Sequence, residues 1–450
     1  MPPAAAVGSR SSNYPLAWVL FLLLNATLFM RPAEIVPELE GMQIYEVIIL
    51  ACLAACLPAV LKKLDTRSLR VNPITLCVLG MLPAVMMSHL SHGDLWSARV
   101  YGVEFAKVIV YFLLLVTLVN SPRRLRQFLI WLAVFALVLT SLAVLRYHHL
   151  IDLNTVAPMT EHQMYKDPVT HKQVTIVRLQ AAGIYGNPND LARILVVGIT
   201  ICLFMLTEGR SLLGRLSWAA ILSVFGVALH HTYSRGGLLA LIAGVALLFQ
   251  ARLGPRKSLI AFLLLLPALL FFGDRQTDFS TSAGTGQERV KLWSTGLVAM
   301  RESPLFGIGR DHYKRTAGNH AHNSFVETYV ETGFFGGTMF LSASWLALTL
   351  LYRSKPNEQQ ASRNPELYRL RPYVLSLVGS SIVGQLSSAR GYSLPTYMIL
   401  GLAAVWLAMA AVENPAARAP VSQRMVGRLL LVSAVSLMCI HLYTKFTAHF

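Results

Sequence analysis

Thirteen apolar stretches, each close to the length of one bilayer crossing, divide this chain, and basic residues gather in every second gap between them. The stretches are 14–30, 43–61, 74–91, 103–119, 127–146, 188–206, 216–233, 236–251, 258–273, 335–352, 373–389, 394–412 and 428–445. A spanning helix needs about 20 apolar residues. Inside hydrocarbon, a segment must satisfy its own backbone polar groups, which a helix does alone. Of the 450 residues only 14% are charged, against roughly 25% in a soluble domain. The expected fold class is an all-α integral membrane protein with about 12–13 transmembrane helices.

The basic gaps orient the chain. They hold Lys62, Lys63, Arg67 and Arg70; Arg123, Arg124 and Arg126; Arg210 and Arg215; Arg252, Arg256 and Lys257; Arg353, Lys355, Arg363, Arg369 and Arg371; and Arg418, Arg424 and Arg428. Lys and Arg accumulate on the cytoplasmic side of membrane proteins. An inside N-terminus puts all six groups there, and thirteen spans put the C-terminus outside. The net charge of +17 then reads as loop charge facing anionic lipid, with no nucleic-acid partner. The first apolar run ends in Arg31-Pro32 with no small-residue cleavage site, so it reads as a retained helix. The five cysteines all lie in apolar runs and are expected to be buried thiols.

This topology divides the chain into a cytoplasmic lead (1–13), an N-terminal bundle (14–146), a long outer loop (147–187), central helices (188–273), a second long outer loop (274–334) and C-terminal helices (335–450). Long loops without secondary structure are usually functional. The second opens with Gly273-Asp274-Arg275 and a small-residue run, 280–286. It continues through a helical segment around Glu288, Arg289 and Trp293, and ends at His320 and His322. The first carries Arg178 and then Asn187-Pro188-Asn189-Asp190. Asn187 or Asn189 is placed to cap a helix whose N-terminus favours an anion. Arg235 lies in the short outer turn Thr232–Gly237, against the charge bias, and a guanidinium there suits a diphosphate. A histidine titrating near the working pH suits removal of a proton from a hydroxyl. No carboxylate pair or His/Cys cluster has metal spacing, so arginines are expected to stand in for a cation, with no cofactor. Glu327 and Glu331 share one face of the short helix after His322 and can orient it. Glu104 and Lys107, one turn apart, are expected to pair with each other. Arg390 is a reserve phosphate contact. His320, His148, His149, His162 and His171 read as ordinary loop histidines.

His322-Asn323, nine residues, then Gly333-Phe-Phe-Gly336 resembles the signature of the O-antigen ligase/polymerase family of bacterial envelope glycosyltransferases. Asn187-Pro-Asn189, Ser234-Arg-Gly236, Glu288-Arg289 with Trp293, and Arg31-Pro32 with Pro37 resemble further family segments, over roughly residues 15–410. The resemblance implies a GT-C-like architecture in the bacterial inner membrane. It implies transfer of an oligo- or polysaccharide from undecaprenyl pyrophosphate to a glycan, lipid A-core or protein acceptor in the periplasm, with inversion. His322 takes the family's base role, and Arg178, Arg235 and Arg289 are the candidates for the pyrophosphate. A ligase and a polymerase of lipid-linked repeat units share these features. A transporter or flippase would instead place its unusual charges at the midplane.

Overall fold

The computed structural model describes residues 14–32, 37–152, 158–166, 173–208, 211–271 and 285–447. Fourteen of its helices build the architecture. In chain order they are α1 (Pro15–Met30), α2 (Ile44–Leu64), α3 (Pro73–Leu90), α4 (Leu95–Leu118), α5 (Pro122–Tyr147), α6 (Pro188–Glu208), α7 (Leu212–His231), α8 (Arg235–Leu253), α9 (Pro255–Phe271), α10 (Thr285–Ala299), α11 (Ser324–Arg353), α12 (Pro365–Gln385), α13 (Leu394–Ala410) and α14 (Gln423–Thr447). Each predicted apolar stretch coincides with one of them. Among the described residues, nine helices are long and apolar enough to cross a membrane, and α1 and α13 are shorter apolar helices.

The helix starts follow local chemistry. Proline stands in the first turn of α1, α3, α5, α12 and α13, where its missing N–H costs nothing. Asp94, Ser121, Ser211 and Ser234 cap α4, α5, α7 and α8, each side chain accepting from the backbone N–H three residues on. The turns capped by Asp94 and Ser211 join helices that pack side by side, α3 with α4 and α6 with α7. At the centre, α6 buries most of its length, whereas α14 buries only Ser433 and Thr444. A helix so apolar and so little buried lies on the outside of the bundle, where lipid covers it.

The described elements are helical as expected apart from one antiparallel hairpin in the 147–187 segment, β1 (Met159–Lys166) and β2 (Gln173–Arg178), with Met159 opposite Arg178. Alternation of apolar and polar residues in β2 favours a strand. Two other expectations need correction. Cys439 is exposed on α14, while Cys52, Cys56, Cys77 and Cys202 are buried. Glu104 and Lys107 do not pair with each other. Lys107 Nζ lies 2.9 Å from Glu46, and Arg310 Nη2 lies 3.2 Å from Glu104. A contact at helical spacing is worth only about 0.2–0.5 kcal/mol, so partners brought up by the tertiary fold displace it. The lead 1–13, Asp274 and Arg275, the first part of the small-residue run and His171 lie outside the described residues.

Candidate functional site

Asn323 starts α11. Its Oδ1 accepts from the N–H groups of Phe325 and Val326 at 3.0 and 3.3 Å, satisfying two donors that have no partner within the helix. His322 precedes it with φ +49°, a left-handed conformation uncommon for a residue with a side chain. The preceding residue is gripped from two sides. Ala321 N–H donates to Glu327 Oε2 at 3.2 Å, and Ala321 C=O accepts from Trp293 Nε1 at 2.7 Å. The imidazole of His322 is thus aimed by a backbone fixed through Glu327 and Trp293. Of the two glutamates, only Glu327 bears on the histidines. Glu331 accepts from the N–H groups of Asp311 and Tyr313 at 2.9 and 3.3 Å and holds the incoming loop.

The two glycines of the motif have structural tasks. Gly333 interrupts α11 at φ +67°, ψ −168°, a region essentially reserved for glycine. Segment 304–309 runs beside the break and satisfies it. Phe334 and Phe335 N–H donate to the carbonyls of Pro304 and Leu305 at 2.8 and 3.1 Å. Ile308 and Gly309 N–H donate to those of Val330 and Glu331, both at 3.0 Å. A Cβ on Gly333 would stand 2.3 Å from the Leu305 carbonyl. Gly336 lets α11 close on α3 at Ala84.

Arg289 bears on His322 from a second element, and Arg235 bears on Arg289 from a third. On α10, Arg289 and Trp293 lie one turn apart, so the tryptophan that grips Ala321 also brings Arg289 to the histidine. Burial holds His322 below its ordinary value, and the positive charges of Arg289 and His320 push the same way. Burial likewise holds Arg289 down, with Arg235 the next cause, though a guanidinium stays charged. Arg235, at the first position of α8 behind its Ser234 cap, thus acts on Arg289, and Arg289 in turn on His322. His320 moves the opposite way. Glu327, whose Oε1 lies 3.4 Å from its Nδ1, raises it. Adjacent histidines driven apart in this way suit one to hold its proton and the other to take one.

Arg178 reaches the Thr232 turn and Asn189. Its Nε donates to the Thr232 carbonyl at 2.9 Å, and its Nη2 donates to Asn189 Oδ1 at 3.2 Å. The same Asn189 oxygen accepts from Ser234 Oγ at 2.7 Å. Asn187 is the cap of α6: its Oδ1 accepts from Asn189 N–H at 2.9 Å, and its carbonyl accepts from Leu191 N–H. These residues form a brace behind Arg235. The first turn of α6 carries a negative charge of its own, since Arg390 donates through Nε at 2.8 Å and through Nη2 to Asp190 Oδ2. The reserve arginine is thus engaged by a carboxylate.

Sequence reasoning missed three contributors. Arg193, three residues beyond Asp190, donates to Ser388 and Thr396, both at 3.3 Å; a lone arginine inside an apolar stretch was the available signal. Ser324 Oγ donates to the Ser388 carbonyl at 2.6 Å and accepts from Arg390 N–H at 2.9 Å, tying the start of α11 to the 386–393 turn. Beside it, α6, α8, α12 and α13 line a mostly apolar pocket with Asp190, Arg193 and Arg390 in its wall. Among the described residues, no three His, Cys, Asp or Glu side chains gather in a way that could hold a metal ion.

A bundle of lipid-length helices with a cationic, histidine-bearing site defines a multi-pass membrane protein. Residues 218–341 match the family model described as O-antigen ligase, so the chain is O-antigen ligase-like over that stretch, and the family implies a glycosyltransferase-like enzyme acting on lipid-linked glycans. The match spans Arg235, Arg289, His322, Asn323, Gly333 and Gly336, and excludes Arg178, Asn187 and Asn189. No curated protein matches the chain.

Proposed function

We propose that this protein is a periplasm-facing, metal-independent, inverting glycosyltransferase of the bacterial inner membrane. It moves an oligo- or polysaccharide from undecaprenyl pyrophosphate to an acceptor hydroxyl. The observation that carries this reading is His322 at the capped start of α11, its backbone held through Glu327 and Trp293, with Arg289 acting on it from the same helix as Trp293. A half-buried imidazole held below its ordinary value is neutral at working pH and can accept a proton. The acceptor O–H gives its proton to His322 as its oxygen bonds to the anomeric carbon. The bond from that carbon to the pyrophosphate oxygen breaks on the opposite face, which inverts the configuration. Arg235 and Arg289 stabilise the negative charge that grows on the leaving pyrophosphate. Arg178, Asn187 and Asn189 act from behind, by bracing Arg235. The mostly apolar pocket among α6, α8, α12 and α13 suits part of the lipid tail.

His322→Ala should abolish transfer while the protein still inserts in the membrane; normal glycan from that variant would sink the mechanism. The O-antigen ligase match favours attachment of finished polymer. The lipid-linked glycans of a strain lacking the gene test this directly. Long polymer stranded on the lipid means a ligase. Single repeat units with no polymer mean a polymerase, and repeat units trapped on the cytoplasmic leaflet mean a flippase.

A further inference from the structure

A second, larger pocket opens between the C-terminal end of α1, the N-terminal end of α2 and the first half of α4. Its wall carries Arg31 and two ion pairs of opposite charges, Lys107 with Glu46 and Arg310 with Glu104. Arg310 is fixed from behind. It donates to the Tyr101 carbonyl at 3.1 Å, and its guanidinium lies over the rings of Tyr101 and Tyr392 at 5.2 and 5.0 Å. The Tyr45 hydroxyl, buried in the same wall, finds no hydrogen-bond partner among the described residues. Ile184 and Leu394 line both this pocket and the one walled by Arg390, and Arg390 bonds to Ser324, two residues from His322. The two pockets are therefore neighbours.

The wall chemistry selects a ligand class. Each carboxylate already faces a cation, so an incoming phosphate meets repulsion beside attraction. Yet the pairs are only partly covered: the Lys107 and Glu46 side chains are 44% and 36% exposed, and Glu104 is 52% exposed. Acceptor lone pairs and donor N–H groups thus stand side by side, facing the pocket. A sugar hydroxyl both donates and accepts, so vicinal hydroxyls can bridge a carboxylate and its neighbouring cation without carrying charge.

We propose that this pocket is a glycan subsite, holding uncharged sugar residues of the saccharide that is handled at His322. The assignment rests on the transfer reaction proposed above. Its test reads binding and needs no turnover. The purified full chain in nanodiscs is titrated, by saturation-transfer NMR, with the reducing oligosaccharide released by mild acid from the producing cell's own lipid-linked glycans. Binding is expected in the wild type and equally in His322→Ala. The dissociation constant should rise at least tenfold in the Glu46→Gln, Glu104→Gln double variant. It should rise similarly in Val108→Trp, which fills the pocket and leaves both ion pairs in place; melting temperatures confirm that each variant folds. No binding to the wild type, undiminished binding in both variants, or displacement by inorganic pyrophosphate would overturn the subsite. A His322→Ala strain with normal glycan would remove the proposed reaction while leaving this titration intact. In turnover, the same variants name the source of the sugar. A raised KM for the acceptor alone assigns the acceptor's glycan, and a raised KM for the lipid-linked donor alone assigns the donor's.

Discussion

At the scale of single residues, two histidines two positions apart are tuned in opposite directions. Burial and then Arg289 lower His322, and Glu327 raises His320. For a base that must be neutral, a lowered value means that activity is kept as pH falls below the ordinary imidazole value of about 6.5 and lost only when pH passes the lowered one. The acid limb of the pH–rate profile is therefore expected below that ordinary value. Arg289→Gln removes a like charge, so the His322 value rises and the limb moves to higher pH, whatever happens to the maximal rate. A limb that stays in place in this variant, or moves to lower pH, would mean that the titrating group is not His322. The histidine itself was legible in the sequence because it stood in a spaced motif. Its grip was not: Trp293 is 28 residues from Ala321, and no local pattern links them.

At the scale of elements, α11 is one helix by its ends and two by its backbone. The break at Gly333 is what allows segment 304–309 to lie against it, and that segment leads into Asp311 and Tyr313, which Glu331 holds. Gly333→Ala meets two obstacles: a backbone conformation costing about 1–3 kcal/mol for a residue with a side chain, and a Cβ 2.3 Å from a carbonyl. Thermal unfolding in detergent should show a melting temperature several degrees lower, with loss of transfer. An unchanged melting temperature would refute the interlock. The glycine spacing was visible in the sequence, but its reason was not, because the partner of the break comes from a different stretch of chain. The same limit explains Glu104 and Lys107, whose helical spacing invited a local pair while Arg310 and Glu46 took them.

At the scale of the whole molecule, the cationic site gathers elements far apart in sequence. Arg235 stands on α8, Arg289 on α10 and His322 before α11, and the brace behind them draws on β2 and α6. The six basic loops predict that these parts share the outer side of the membrane. Alkaline phosphatase fused after Gly318 should be active, and fused after Lys355 it should be inactive. The reverse pattern would put the site in the cytoplasm and exclude a periplasmic reaction.

The sequence by itself determined the membrane class, the apolar intervals and the histidine motif. These are properties that a segment must satisfy alone: a run of apolar residues has to bury its own backbone polar groups, and a cap or a glycine break is written within a few residues of where it acts. Only the tertiary structure decided which charges meet. Arg390 closes on Asp190 from 200 positions away, Arg178 braces Asn189 and the Thr232 turn, and Arg289, with Arg235 acting on it, comes to bear on His322. Attraction between charges depends on distance and on exclusion of water, and both are set by packing rather than by order along the chain.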